Sequence, residues 1–579
     1  MAVTRTRAVD HVVNELTRRG VDHVFGVGGA NIEDLYDAVH AAGDRIRGVV
    51  AKHEFSAATM ADGYARATGR LGVVAATSGG GAMNLVPGLA EAYASRVPVL
   101  ALVGQPPTEL EGRGAFQDSS GRAGSLDARQ VFAPVSRFCA KVDHPDALVE
   151  LLPRAIAAAQ TDPKGPAVLL LPKDVQQGLL RVAEGGPPLI PPASAVDRRA
   201  LDRAVEALRA ADRVLLIAGE GVATARSRAE LAELARRLGA WVAVTPDAKD
   251  VFDNRDPRFA GVAGVMGHRN VSDCLRRADV CVLVGTRLPA MARGGLDDSL
   301  AGTVVIGVDP EPSFVPGIDL CGPLRDTLRA LVDAHDPRPR PCPDHAGPVP
   351  LPPPPPPAPL PAAGGPARTT SYPHALAAVR AALPPDAHVF VDAGNTGAAA
   401  VHLLPAPPRG RFVVAVGMGG MGYAFGAGIG AALATGQRTY VLAGDGAFFM
   451  HGMELHTAME YGAPVTFVVF NNNAHGMCVT RERLFYGDAY SYNLFRPADL
   501  AGGMAAAFPT LDVTRAGDAA ELRRALLRTN TGGGPAFVAV DCDPHEVPPF
   551  RPFLAGAGSG EEPIDSEEMR GERGRVHVG

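Results

Sequence analysis

Short apolar runs and amphipathic stretches take turns along most of the chain. LGVVAAT, VPVLALVG and PAVLLLP in the first third are apolar throughout and rich in β-branched residues. RVLLIAG, AWVAVTP, ADVCVLVG and TVVIGVD repeat the pattern in the middle, and HVFVDAG, TYVLAGDG and VTFVVFNN repeat it near the end. Strands that alternate apolar and polar residues keep one face in water; unbroken apolar runs of this length fit parallel strands covered on both faces. Between them lie helical patterns, among them Val9 to Arg19, NIEDLYDAVH, SRAELAELARRLG and SYPHALAAVRAAL. Strand and helix in alternation predict an α/β protein built from doubly wound parallel sheets.

The pattern breaks in two places. A run reading VPLPPPPPPAPLPAAGGPA can neither pair into a sheet nor continue a helix, so it reads as a stiff spacer. From about residue 546 the chain is polar, Gly- and Glu-rich and without apolar period, and reads as a mobile tail. The expected division is therefore 1–180, 190–335, a Pro-rich linker over 336–368, 370–545 and a tail over 546–579. A chain of 579 residues is too long for one core, which agrees with three domains.

Composition narrows the function by exclusion. With 46% hydrophobic and 20% charged residues the chain is globular. A net charge of −6 without a Lys/Arg stripe leaves no footprint for nucleic acid. No run is long and apolar enough to span a membrane, and the N-terminus lacks the apolar centre of a signal peptide. Seven scattered cysteines without CxxC pairing fit reduced thiols in the cytoplasm.

The strongest chemical signal is GDGAFFMHGMELHTAMEYGAPVTFVVFNNN. One apolar strand runs into Gly444-Asp445-Gly446; after 24 residues a second ends at Asn471-Asn472. Both polar clusters then sit at the carboxyl ends of parallel strands, where open α/β sheets bind ligands, and a helix between them makes the crossover. Asp445 offers a carboxylate and Asn472 an amide oxygen. That hard, low-charge oxygen set suits Mg²⁺ completed by phosphate oxygens, while the glycines let backbone N–H groups approach those phosphates.

This spacing resembles the cofactor motif of the thiamine diphosphate enzymes, a family that includes acetohydroxyacid synthase, pyruvate oxidase and benzoylformate decarboxylase. The resemblance implies pyrimidine-binding, central and diphosphate-binding domains in that order. It also implies thiamine diphosphate and Mg²⁺ as cofactors, with Asp445, Asn472 and the carbonyl of Ala474 as metal ligands. KHEFSAATMADGYAR is similar to the segment that carries the family's activating glutamate, here Glu54. Met421 matches the residue that props the cofactor, and Gly419 the carbonyl that accepts from its amine. ATSGGGAMNLVPGLAEA departs from the family's turn by placing Gly80 where proline is usual. Because Glu54 and the metal motif lie in different domains, the family pattern implies a homodimer or homotetramer with sites between subunits.

Reaction type is read from finer matches. GRGAFQDSS and GPAVLLLPKDVQQG resemble the acetolactate synthase branch, placing Phe116, Gln117 and Lys173 at the substrate side. The expected activity is a carboligase acting on pyruvate or a similar 2-oxo acid. The alternatives are a non-oxidative 2-oxo acid decarboxylase and a silent cofactor-binding subunit. After the metal loop, NNNAHGMCVTRERL puts Arg481 where that branch has a tryptophan, so Arg481 is either an acceptor-binding or a surface residue. His475 is a candidate proton shuttle. Arg287 in VGTRLPAMARGG stands where some relatives contact FAD, and flavin remains open.

Overall fold

In the computed structural model, residues 4–182, 197–345, 347 and 369–558 are described. The apolar runs form three sheets of six strands, and every pairing within these sheets is parallel. A small antiparallel pair, Thr4–Arg7 with Leu179–Val182, ties the start of the first domain to its end. Val73, Val74, Leu169, Leu216, Val282, Val441 and Val468 are fully enclosed, as expected of strands covered on both faces.

With strands numbered in chain order within each domain, the first sheet runs 2-1-3-4-6-5 and the last runs 2-1-3-4-6-5 as well. The central sheet runs 3-2-1-4-5-6. In the outer domains the order reverses between strands 1 and 3, which opens a crevice at their carboxyl ends. In the first domain these strands are His23–Gly26 and Gly72–Ala76; in the last they are His388–Val391 and Thr439–Gly444.

The first and last domains pack through the helices Glu54–Thr68 and Tyr423–Thr435, whose small residues let the backbones meet closely. Their apolar residues form one continuous core, in which Phe425 stacks on Phe467 and meets Phe448 edge-on. Where the three domains adjoin, buried charges are paired: Arg411 with Glu220 and Asp250, and Arg66 with Asp62.

Three expectations need correction. The crossover after Asp445 is not one helix: Asp445–His451 and Leu455–Tyr461 are joined by a 3₁₀ turn at Gly452–Glu454. There Phe448 lies across Gly452 and leaves no room for a Cβ. The segment from residue 546 is not without structure, because Arg551–Gly558 is a helix anchored on the central domain. Arg551 N donates to Val265 O and its guanidinium to Gly295 O, while Phe553 is buried against Phe550 and Phe485. Residues 559–579 lie outside the described residues. The linker's first part also belongs to the central domain: Arg340 donates to Ala211 O and Trp241 Nε1 donates to Pro343 O. The proline run lies outside the described residues.

Candidate active site

Strands 1, 3 and 4 of the last sheet deliver their carboxyl ends to one pocket of about 70 Å³. Asp445 follows Thr439–Gly444, and Asn472 follows Val465–Asn471. Asp445 Oδ1 accepts from Gly446 N at 3.0 Å, and its Oδ2 accepts from Ala474 N at 3.2 Å. Asn472 Oδ1 accepts from the same Ala474 N at 3.1 Å. The carboxylate and the amide oxygen therefore converge on the turn that also bears the Ala474 carbonyl. Burial pushes the Asp445 carboxyl up to about 6. Among the described residues no group of three His, Cys, Asp or Glu side chains gathers as a metal site. A cation held here would have to complete its shell with carbonyl, phosphate or water oxygens.

Helices also aim at this pocket. Asn395–Leu403 and Gly476–Phe485 both begin at its wall, presenting free N–H groups and the positive end of the peptide dipoles. Asn395 Oδ1 is buried with no hydrogen-bond partner, leaving an acceptor available at the same wall. Gly446 is required for space: a Cβ there would lie 2.5 Å from His475 Cδ2 and 3.2 Å from Met421 Cε. Gly419 is required for shape, since its φ of +65° is a left-handed conformation.

His475 is held firmly. Its backbone N donates to Asn493 O at 2.9 Å, its ring sits edge-on to Phe495, and Nδ1 lies 3.3 Å from Asn493 Oδ1. Asn493 Nδ2 in turn donates to Glu482 Oε1 at 2.6 Å. Glu482 thus turns inward, whereas its neighbour Arg481 is exposed.

The residues expected from the first domain form a second cluster. Glu54 opens the helix Glu54–Thr68, capped by His53 Nδ1, which accepts from Phe55 N. Asn84 Nδ2 donates to Glu54 Oε2 at 2.9 Å, and Glu54 is half-buried. Thr77 Oγ1 donates to Gln117 Oε1 at 3.2 Å, and Gln117 itself has a φ of +60°. Phe116 beside it is 76% exposed. Lys173 Nζ donates to Ala30 O at 2.7 Å, on the loop at the carboxyl edge of the same sheet.

One pocket therefore gathers Met421, Gly444, Asp445, Gly446, Asn472, Ala474 and His475, while Glu54 and Gln117 share the cluster around Thr77 and Gly81. Sequence reasoning missed Asp392, Asn395, Asn84 and Asn493. Asp392 accepts from Ala393 N, Gly422 N and Ala424 N, and so fixes the far end of the Met421 turn. Its place just after an apolar strand was the available signal. Asn84, Asn395 and Asn493 stand in no spacing that singles them out.

A larger cavity, about 350 Å³, lies elsewhere, where the central sheet reverses its order. Arg287 lines it, donating to Pro312 O and stacking at 4.0 Å over Phe314.

Three family models match the chain. They are the thiamine pyrophosphate enzyme N-terminal TPP binding domain at residues 6–123, the central domain at 201–331 and the C-terminal TPP binding domain at 392–540. An acetolactate synthase of Arthrospira platensis is 31% identical, over 84% of this chain and 86% of its own length. The acetolactate synthase large subunit of Parasynechococcus marenigrum is 30% identical, over 85% and 80%. A probable acetolactate synthase large subunit of Methanocaldococcus jannaschii is 28% identical, over 84% and 83%.

Proposed function

The chain belongs to the thiamine pyrophosphate enzymes, acetolactate synthase-like in kind, and from that premise we propose a carboligase that decarboxylates pyruvate or a similar 2-oxo acid and passes the acyl unit to a carbonyl acceptor. The observation that carries this reading is the pocket where Asp445, Asn472 and the Ala474 turn meet two helix N-termini. Its donor chemistry fits a magnesium diphosphate: oxygen ligands for the cation, N–H groups and dipoles for the anion. Thiamine diphosphate held there would supply the nucleophilic carbon and the electron sink that decarboxylation of a 2-oxo acid requires.

The protein's own residues do the rest. Asp445, Asn472 and the Ala474 carbonyl would hold Mg²⁺. Gly444 and Gly446 would leave room for the phosphates, Met421 would support the cofactor, and the Gly419 carbonyl would accept from its amine. Glu54, oriented by Asn84, would exchange a proton with the aminopyrimidine. Phe116, Gln117 and Lys173 line the substrate side, with Arg481 at the acceptor entrance.

Glu54 is only half-buried within one chain, whereas an activating carboxyl needs dry surroundings. Met418, Phe449, Met450 and Met453, beside the cofactor turn and on the segment after Asp445, are each 50–62% exposed. Both facts support a homodimer, or a homotetramer of such dimers, that completes the site between copies. A cytoplasmic location accords with seven free thiols. No described helix is long and apolar enough to cross a membrane. FAD would have to lie in the central cavity, where Arg287 is already engaged. It is given no step, because decarboxylation followed by ligation involves no net electron transfer.

His475 favours a second reading, a non-oxidative decarboxylase, since an imidazole at the cofactor pocket can donate a proton to the acyl carbanion. Incubating the full chain with thiamine diphosphate, Mg²⁺ and pyruvate, with products followed by NMR, separates the two. A ligated product such as acetolactate, absent with Glu54→Gln, is the expected result. Acetaldehyde as sole product moves the assignment to decarboxylase, and no turnover on a panel of 2-oxo acids removes both.

A further inference from the structure

One helix of the first domain, Gly80–Ala94, holds both halves of the proposed cofactor machinery. Near its start Asn84 bonds Glu54 at 2.9 Å. Seven residues on, two turns and about 10.5 Å along the same face, Glu91 reaches the last domain. Glu91 Oε2 accepts from Met418 N at 2.6 Å, and Oε1 accepts from Gly417 N at 3.3 Å and from Ser95 Oγ at 2.7 Å. Gly88, between them, packs against Ala58 and the Phe55 carbonyl, so the face is seated directly on the Glu54 helix.

Glu91 is 3% exposed, a place where an acid persists only if its charge is answered. Two backbone N–H donors, a hydroxyl and the Arg66 guanidinium at 3.8 Å answer it. The two amides belong to the turn that leads into Gly419 and Met421. That turn has no regular structure of its own over Gly417–Gly420, and its other end is held by Asp392 through Gly422 N and Ala424 N. A segment pinned by a carboxylate at each end keeps one height; released at one end, it would swing on the other. Two converging N–H groups suit a carboxylate, whose two oxygens can accept both at once.

We infer that Glu91 is a positioning residue for the cofactor: it fixes the Gly417–Met421 turn against the first domain and so sets where the aminopyrimidine bound by that turn is supported. This rests on the cofactor reading above. Glu91 touches neither cofactor nor substrate; it acts through the turn.

The test uses the full chain with saturating Mg²⁺. Thiamine diphosphate is titrated by calorimetry, the bound cofactor is followed by near-UV circular dichroism, and the melting temperature is measured without cofactor. Glu91→Ala is expected to weaken binding about tenfold or more, the scale of losing one charge-assisted hydrogen bond, and to alter the dichroism of whatever cofactor is bound. Glu91→Gln, whose amide oxygen can still accept from Met418 N, should recover most of the affinity. If the Ala variant does not fold, Glu91→Asp replaces it, charged but one methylene short. Unchanged affinity in the Ala or Asp variant overturns the role. So does a loss that follows the melting temperature alone and is not recovered by Gln. If the unaltered chain binds no thiamine diphosphate, the cofactor reading falls and this inference with it; binding by the unaltered chain with indifferent variants removes Glu91 alone.

Discussion

The first and last domains share the strand order 2-1-3-4-6-5 and therefore the same crevice between strands 1 and 3, yet they treat it oppositely. In the first domain the two loops close on each other: Asn31 N donates to Thr77 Oγ1 at 3.3 Å, and Asn31 Nδ2 donates to Ser78 Oγ at 2.7 Å. Asn31 and these two hydroxyls satisfy one another across the crevice. In the last domain the corresponding loops, Ala393–Thr396 and Gly444–Gly446, stay apart around a pocket that contains an unpartnered Asn395 oxygen and the Asp445 carboxylate. Topology makes a crevice available twice; side chains decide which one stays open. The first domain is left to contribute a single carboxylate, Glu54, from the end of a different strand.

The largest expected effect breaks the last domain's crevice. Asp445→Ala should reduce activity on the order of a thousandfold, by loss of the metal-held diphosphate, and calorimetry should show no retained thiamine diphosphate. Next comes the first domain's contribution: Glu54→Gln should lower turnover about a hundredfold or more while cofactor affinity stays unchanged. That split between binding and rate would confirm the division of labour; equal loss of both would erase it.

A third test sharpens the electrostatic side. Burial raises the Asp392 and Asp445 carboxyls to about 6 from an ordinary 3.8, so the folded apoprotein binds protons that the unfolded chain has already released. Their contribution to stability is full below about pH 4 and is lost as pH rises through about 6. Each accounts for at most about 3 kcal/mol, at 1.36 kcal/mol per pKa unit. Denaturant titrations of the metal-free chain at pH 4.5 and 7 should show this fall. Asp392→Asn should flatten part of it, and Mg²⁺ with thiamine diphosphate should reverse Asp445's share. The smallest effect belongs to the closed crevice. Asn31→Ala should cost about 1–2 kcal/mol of stability and leave cofactor affinity untouched; a change in affinity would mean that this crevice also faces a ligand.

How far each feature could be read from the chain depended on its range. Apolar runs such as VTFVVF and TYVLAG were legible as buried strands because enclosure on both faces dictates composition locally. Asp445 and Asn472 were legible because a strand end and a crossover fix their spacing. The helix Arg551–Gly558 was not, because its anchors, Val265, Gly295 and Phe485, lie far away in sequence. The broken crossover at Gly452 was hidden for a similar reason: a helix-length segment says nothing of where Phe448 will lie.

By itself the sequence determined the α/β class, the threefold division and the polar residues at the strand ends, which follow from local periodicity and spacing, and it carried the motifs whose resemblance pointed to the family. Only the tertiary structure decided that the outer sheets share one strand order and that one crevice is closed while the other is open. It also decided that Asn84 and Glu91 lie on a single face between Glu54 and the cofactor turn. Those facts depend on which distant groups meet, and a hydrogen bond between residues some 300 positions apart leaves no period in the chain.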